Sequence, residues 1–280
     1  MIQDIYPHRL DIAFRADAVP EAGSLVFQFH EGKLAARFEG GEVAFPEYAA
    51  YPSQCPMAYL FQLDGKDCFL ALDEDTAVPA GFQLVSMRQV RAHAGGRKQR
   101  VFAAITARHV HDWVRRNRHC GICGALRVPA PDERALDCPA CGNRLYPRIE
   151  PAVIVGVIDR EADKLLLTKY AGRAEVPYYA LVAGYTEIGE TLEQTCAREV
   201  FEETGLAVKN IRYYKSQPWG LSDGLMVGYF CDLDGSSQVT LRDGELALAE
   251  WFARTEIEGQ PDDFSLTNEM MTAFAQGLEP

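Results

Sequence analysis

From Gly184 to Leu206 the chain reads GYTEIGETLEQTCAREVFEETGL, and this segment constrains the fold more than any other. Thr191 opens a run of helix-forming residues and Gly205 closes it, which predicts a helix from about Thr191 to Thr204 entered through a loop. On that helix Glu199 and Glu203 stand at i and i+4 and project side by side, with Glu202 on the flank. At about 100° per residue, their directions fall next to those of Leu192 and Cys196, so the carboxylates border an apolar stripe. Unpaired charge is costly there. Crowded carboxylates repel one another and raise their pKa values unless a hard cation binds, and oxygen ligands suit Mg²⁺ or Mn²⁺. Arg198 reaches Glu202 at i+4 and would hold part of the cluster in place. A merely exposed, salt-bridged acidic helix would explain the glutamates, but neither the Gly184 loop nor the gap to Glu190.

A second constraint lies upstream. Cys120 and Cys123 form one CxxC pair and Cys138 and Cys141 another, each with a glycine close behind, in HCGICGA and DCPACGN. Two such rubredoxin-like knuckles can close a tetrahedron of thiolates around Zn²⁺ at roughly 2.3 Å per sulfur. With all four positions taken by sulfur, no ligand position is left for water, so this zinc is expected to be structural. Cys55, Cys68, Cys196 and Cys231 sit in apolar surroundings and read as core residues.

The 280 residues suggest two modules with a small insert. The division expected is a mainly β domain over 1–115, a zinc ribbon over 116–147 and an α/β domain over 148–280. In the first part, short apolar runs at Ser24 to Phe29, Met57 to Leu63 and Cys68 to Leu72 alternate with turn residues. Residues 101–117 show near-helical spacing and end in Arg115, Arg116 and Arg118, cations that suit a helix C-terminus. After Ile149, AVIVGVID and KLLLTK predict a hairpin, followed by a loop around Gly172 to Pro177 and a short strand, ALVAG. Further strands are expected at Asn210 to Trp219 and Leu225 to Leu233, with a last helix near Thr267 to Gln276.

The formal charge of −12 opposes non-specific attraction to long nucleic acids, so an anionic substrate would need a local metal or local arginines. The first residues, MIQDIYPHRLDIAF, lack the pattern of a signal peptide, and no apolar run approaches the roughly 18 to 20 residues that cross a bilayer. A cytoplasmic location without membrane partners is therefore expected, in which CxxC pairs stay reduced.

The segment at 184–206 carries Gly184, Glu190, Arg198, Glu199, Glu202, Glu203 and Gly205, with Val200 and Leu206 as aliphatics, in the pattern G-x5-E-x7-R-E-U-x-E-E-x-G-U. By these residues the chain resembles the Nudix hydrolase superfamily. The resemblance implies an α/β/α sandwich with a mixed sheet. It also implies Mg²⁺ or Mn²⁺ ligands at Glu199, Glu202 and Glu203 and at the backbone carbonyl of Ala183, and attack of a water on one phosphorus of a diphosphate. The order of ribbon, YPRIEP, Nudix segment and then SQPW at Ser216 to Trp219 further resembles the NADH pyrophosphatase family from about residue 86 onward. Members cleave NADH or NAD to nicotinamide mononucleotide and AMP, some remove NAD caps from RNA, and many are homodimers.

That resemblance implies substrate contacts at Arg88, Glu133, Tyr146, Gln217, Pro218 and Trp219. Two positions depart from the family pattern. The stiff loop after SQPW is replaced by Gly220, Leu221, Ser222, Asp223 and Gly224, which reads as flexible. Alignment on Trp251 and Phe252 also places Leu248 where the family has a further metal carboxylate, and strand alternation nominates Glu250 as its replacement. The alternatives are a pyrophosphatase for ADP-ribose or another nucleoside diphosphate derivative, and a weakly active nucleotide-sensing or RNA-binding module.

Overall fold

The computed structural model describes residues 1–172, 178–242 and 244–280, in two units. One unit comprises residues 2–148 and 220–223, the other Met1, 149–219 and 224–280. Most of the loop expected around Gly172 to Pro177 lies outside the described residues.

The first unit begins with strands β1 (Leu10–Asp11), β2 (Leu25–Phe27), β3 (Phe29–His30), β4 (Lys33–Glu39), β5 (Glu42–Ala44), β6 (Met57–Leu63), β7 (Lys66–Ala71) and β8 (Gln83–Val85). They form two four-stranded sheets, one ordered β1-β6-β7-β2, the other β3-β4-β5 with β8 on β4. The apolar runs that the sequence marks as strands supply the interior, where Phe27, Phe29, Phe61 and Phe69 are fully buried. Each such side chain contributes about 1.5–3 kcal/mol by leaving water. Two helices follow, α1 (Met87–Ala92) and α2 (Lys98–Arg116). Ser86 and Gln89 cap α1 reciprocally, so its first amides are satisfied locally. The ribbon adds β9 (Val128–Pro129), β10 (Leu136–Asp137) and β11 (Arg144–Leu145), ordered β11-β10-β9.

The second unit contains β12 (Glu150–Asp159), β13 (Lys164–Tyr170), β14 (Val182–Tyr185), α3 (Leu192–Thr204), β15 (Ala207–Trp219), β16 (Gly224–Asp234), β17 (Leu246–Ala253) and α4 (Leu266–Ala275). Its six-stranded sheet runs β15-β16-β12-β13-β17, with β14 paired to β12. The β12–β16 pair is parallel and the others are antiparallel, which makes the sheet mixed. Alternation along β12 divides the core. Val153, Val155 and Val157 pack with Cys196 and Val200 of α3, whereas Ile154 and Ile158 pack with Leu266, Met270 and Phe274 of α4. A continuous apolar run thus marks a strand buried on both faces, giving the expected α/β/α arrangement.

Cys55, Cys68, Cys196 and Cys231 are buried, as their apolar neighbours predict. The turn 220–223, expected to be flexible, is pinned within the first unit. Arg116 donates to the Asp223 carboxylate, and His109 Nε2 lies 3.9 Å from it. The acid that replaced the stiff residues supplies the anchor.

Candidate functional site

Helix α3 is set by its ends. Thr191 Oγ1 accepts from the Gln194 amide and the Gln194 side chain accepts from the Thr191 amide, while Gly205 closes the helix in the left-handed conformation. One face buries Cys196 and Val200, and this packing aims the glutamates along the sheet edge beside β14.

Arg198 organises the cluster. Its Nε donates to Glu190 Oε1 at 2.6 Å and its Nη2 to Glu190 Oε2 at 2.9 Å, a two-point clamp. Nη1 donates to Glu199 at 2.7 Å and to Glu202 at 3.0 Å, and Nη2 also reaches the Tyr185 carbonyl at 3.0 Å. Hydrogen bonds from Arg198, with others from the Glu187 amide and Thr195, overcome the effect of burial and hold the Glu190 carboxyl down at about 2. Glu190 therefore anchors Arg198, and Arg198 places Glu199 and Glu202.

The Glu199 carboxylate lies over Gly184 so closely that a Cβ there would sit 2.0 Å from its carbon. Gly184 and Ala183 are consecutive in β14, paired with Val153 and Ile154, which puts the Ala183 backbone next to the cluster. Glu203 is 1% exposed. Burial raises the Glu199 carboxyl above its usual range; Arg198 opposes this, and the charges of Glu202 and Glu245 add to it. A carboxylate held under burial and like charge among oxygen donors fits a hard divalent cation. Among the described residues, however, only the four ribbon cysteines bring three or more candidate ligand atoms within 4.8 Å of one another. Between Glu199 and Glu202 it is the Arg198 guanidinium that supplies positive charge.

Strand β17 places Glu250 on the same face as Leu248, the face turned from α3. Glu250 pairs with Leu167, whose side chain belongs to the core under α4, and Phe252 packs in that same core. Leu248 and Glu250 share the parity of Phe252, so both face away from α3. Ala249 and Trp251 pack on the α3 side. The acid near Glu199 is instead Glu245, just before β17, which lines a recess of about 530 Å³ together with Glu199, Glu202, Arg198, Phe201 and Arg242. Arg242 stacks its guanidinium 4.4 Å above the Phe201 ring. The acid before the strand, Glu245, is not singled out by the sequence; the apolar Ala249 and Trp251, flanking Glu250, are the signal for which face of β17 meets α3.

In the first unit, the ribbon sulfurs of Cys120 and Cys141 are 3.7 Å apart and those of Cys123 and Cys138 3.4 Å apart. These approach the edge of about 3.8 Å that a tetrahedron with 2.3 Å zinc–sulfur bonds requires. Backbone amides of Cys123 and Ile122 pull the Cys120 thiol down to about 6, and Arg127 Nη2 points to the same sulfur at 3.6 Å. Both effects favour the thiolate that a metal binds.

The other expected contacts divide. Glu133 accepts from Arg144 at 2.5 Å and from the Tyr146 hydroxyl at 2.8 Å, which leaves the Tyr146 ring half exposed and oriented. Arg88 is exposed on α1. Pro218 is exposed and Trp219 half-buried at the end of β15. Gln217 is different: 1% exposed, it donates to the Phe264 carbonyl at 2.6 Å and accepts from the Leu266 amide at 2.8 Å. Its amide fastens the start of α4.

A clamped glutamate helix across a mixed six-stranded sheet, in a chain that also holds a four-cysteine ribbon, defines a NUDIX domain joined to a zinc ribbon. Residues 149–273 match the NUDIX domain model, and residues 115–146 match the NADH pyrophosphatase zinc ribbon domain. Among curated proteins, a NAD-capped RNA hydrolase NudC of Actinobacillus succinogenes is 44% identical over 50% of this chain and 54% of its own length. The NAD-capped RNA hydrolase NudC of Haemophilus influenzae strain PittGG is 40% identical over 51% of this chain and 54% of its own. The chain thus matches about half the length of these curated relatives. A NUDIX hydrolase structure from Nitrosomonas europaea is similar at 23% identity with a TM-score of 0.48, covering 58% of this chain and 94% of that one. Among the described residues, no helix is long and apolar enough to cross a membrane.

Proposed function

We propose that this chain hydrolyses the diphosphate bond of NADH- or NAD-like dinucleotides, releasing nicotinamide mononucleotide and AMP, and that NAD-capped RNA is a further substrate. The observation that carries the reading is the Arg198-centred glutamate cluster beside Gly184 in a NUDIX domain that follows an NADH pyrophosphatase zinc ribbon. The names of the relatives point to the same substrate class. Mg²⁺ or Mn²⁺ is the proposed catalytic cofactor and Zn²⁺ the structural one. The working form is a homodimer in the cytoplasm.

In the reaction, a water oxygen bonds to one phosphorus, the bridging P–O bond breaks, and the water proton passes to a carboxylate of the cluster. A divalent cation held by Glu199, Glu202, Glu203 and the Ala183 carbonyl would neutralise diphosphate oxygens and make that water more acidic. Glu190 keeps Arg198 in place, and Arg198 keeps Glu199 and Glu202 apart and oriented. Glu245 adds a carboxylate at the recess. Trp219 offers a ring face on which a nucleobase or nicotinamide stacks.

The test incubates the protein with NADH, NAD, ADP-ribose and NAD-capped RNA in Mg²⁺ or Mn²⁺ and identifies products by mass spectrometry, with Glu203→Gln alongside. Formation of nicotinamide mononucleotide and AMP that is lost in the variant is the expected result. Cleavage of ADP-ribose alone would move the chain to that substrate class. Binding without cleavage would make it a sensor.

A further inference from the structure

Away from the glutamates, the first unit encloses a cavity of about 150 Å³ that the proposed hydrolysis does not use. It opens where β7, the last turns of α2 and the ribbon strands converge, and Leu70, Val114 and Leu136 give it an apolar floor. A dry cavity of roughly this volume accommodates a benzene ring.

Its remaining wall is cationic in an otherwise acidic chain. Arg115, Arg118 and Arg127 line it against a single carboxylate, Glu74, which lies 3.3 Å from Arg115 Nε and 3.8 Å from His111 Nε2. Arg115 therefore balances Glu74, and Arg127 Nη2 already points to the Cys120 sulfur at 3.6 Å, which leaves Arg118 in excess. Arg127 is rigidly held: its outer nitrogens donate to the Leu136 and Asn143 carbonyls at 3.2 and 3.1 Å and to Asn143 Oδ1 at 2.6 Å. Its Nε is nonetheless buried with no hydrogen-bond partner.

His111, 5% exposed, repeats the pattern. Its Nδ1 is committed to Asp112 Oδ1 at 2.9 Å, while Nε2 is buried with no hydrogen-bond partner. Two buried nitrogens without hydrogen-bond partners thus belong to residues that line one cavity, and each such group destabilises the unliganded protein. A ligand that engages them recovers part of that cost.

We propose that this cavity binds a small carboxylate with a body about the size of one ring, the ring on the apolar floor and the planar head on Arg118 and Arg127 beside His111. A carboxylate matches the guanidinium fork of Arg118, with the Arg127 Nε as a further donor, and one cation in excess suits a monoanion.

The proposal is tested on the full zinc-loaded chain by ¹⁹F NMR titration with 4-fluorobenzoate, with neutral 4-fluorobenzamide as the control. Binding is read directly, so the outcome does not depend on which substrate the glutamate site cleaves. The benzoate is expected to bind and the amide to fail as a competitor. Arg118→Glu, at an exposed position, is expected to weaken binding by about tenfold or more through charge reversal. Val114→Trp fills the floor and is expected to abolish it. Absence of benzoate binding at millimolar concentration, equal binding of the amide, or an Arg118→Glu affinity within twofold of wild type would each overturn the proposal.

Discussion

Replacing Gly184 by alanine isolates the close approach on which the glutamate cluster depends. The backbone at Gly184 is not left-handed, so alanine brings no conformational strain of its own. The added Cβ would meet Glu199 Cδ and Oε1 at 2.0 Å and Oε2 at 2.3 Å, well inside contact distance. The obstacle is the end of a flexible side chain, so Glu199 swings aside instead of the strands separating. That movement forfeits the 2.7 Å bond from Arg198 and carries the carboxylate more than an ångström from its position. Misplacement on this scale costs about 10²-fold in rate. Overpacking costs about 1–3 kcal/mol, with the lower end expected where a side-chain terminus can yield.

The assay pairs steady-state dinucleotide turnover with thermal unfolding for wild type, Gly184→Ala, Glu199→Gln and the double variant. Because both single changes disable the same carboxylate, the double variant should be no slower than Glu199→Gln alone, a strong departure from additivity. A folded Gly184→Ala protein with turnover within about threefold of wild type would refute the reasoning, as would a double variant whose losses multiply.

Glu245→Gln should lower kcat at least about tenfold through loss of a charge at the recess, while Glu250→Gln, on the opposite sheet face, should change it less than about twofold; steady-state kinetics under saturating Mn²⁺ decides between them. Cys138→Ala should release the ribbon metal, measured by metal analysis of the purified protein, and lower the melting temperature, whereas Cys196→Ala should leave bound zinc unchanged. Asp232 offers a pH test: burial raises its carboxyl, but hydrogen bonds from Arg212, Asn210 and Arg160 outweigh this and hold it at about 2. A depressed folded pKa stabilises above the ordinary carboxyl value near about 4 and loses its effect as pH falls through the folded value. Urea unfolding should therefore find Asp232→Asn less stable by about 2 kcal/mol at pH 7, with the gap narrowing between about pH 4 and 2.

What the sequence made legible was local. The ends of α3, the Arg198–Glu202 spacing and the paired CxxC knuckles are encoded within a few residues, so their geometry follows from helix and turn rules. The run AVIVGVID likewise announced a strand buried on both faces, although not its parallel partner β16, which comes from a distant part of the chain. Glu245 and Glu250 show where local rules stop. Alternation says which residues share a face, but the side on which α3 packs is a tertiary fact. The structural bonds of Gln217 were hidden for the same reason, because both partners of its amide lie near the start of α4. The N-terminal sheets were legible as strands but not as pairings, since β2 joins β7 in parallel across a long intervening stretch.

The fastening of Gln217 to Phe264 and Leu266 has a consequence for how the molecule breathes. Trp219 lies two residues further along the same strand, so its ring is indexed to the first turn of α4 through a neutral amide that donates one hydrogen bond and accepts another. Fraying at the head of α4 would travel along β15 and shift the aromatic platform, and a planar guest that immobilised Trp219 would slow amide exchange at Leu266. A glutamate at 217 would preserve length but present an oxygen to the Phe264 carbonyl. The register between strand and helix would then become negotiable, in a part of the fold where the native amide leaves it only one setting.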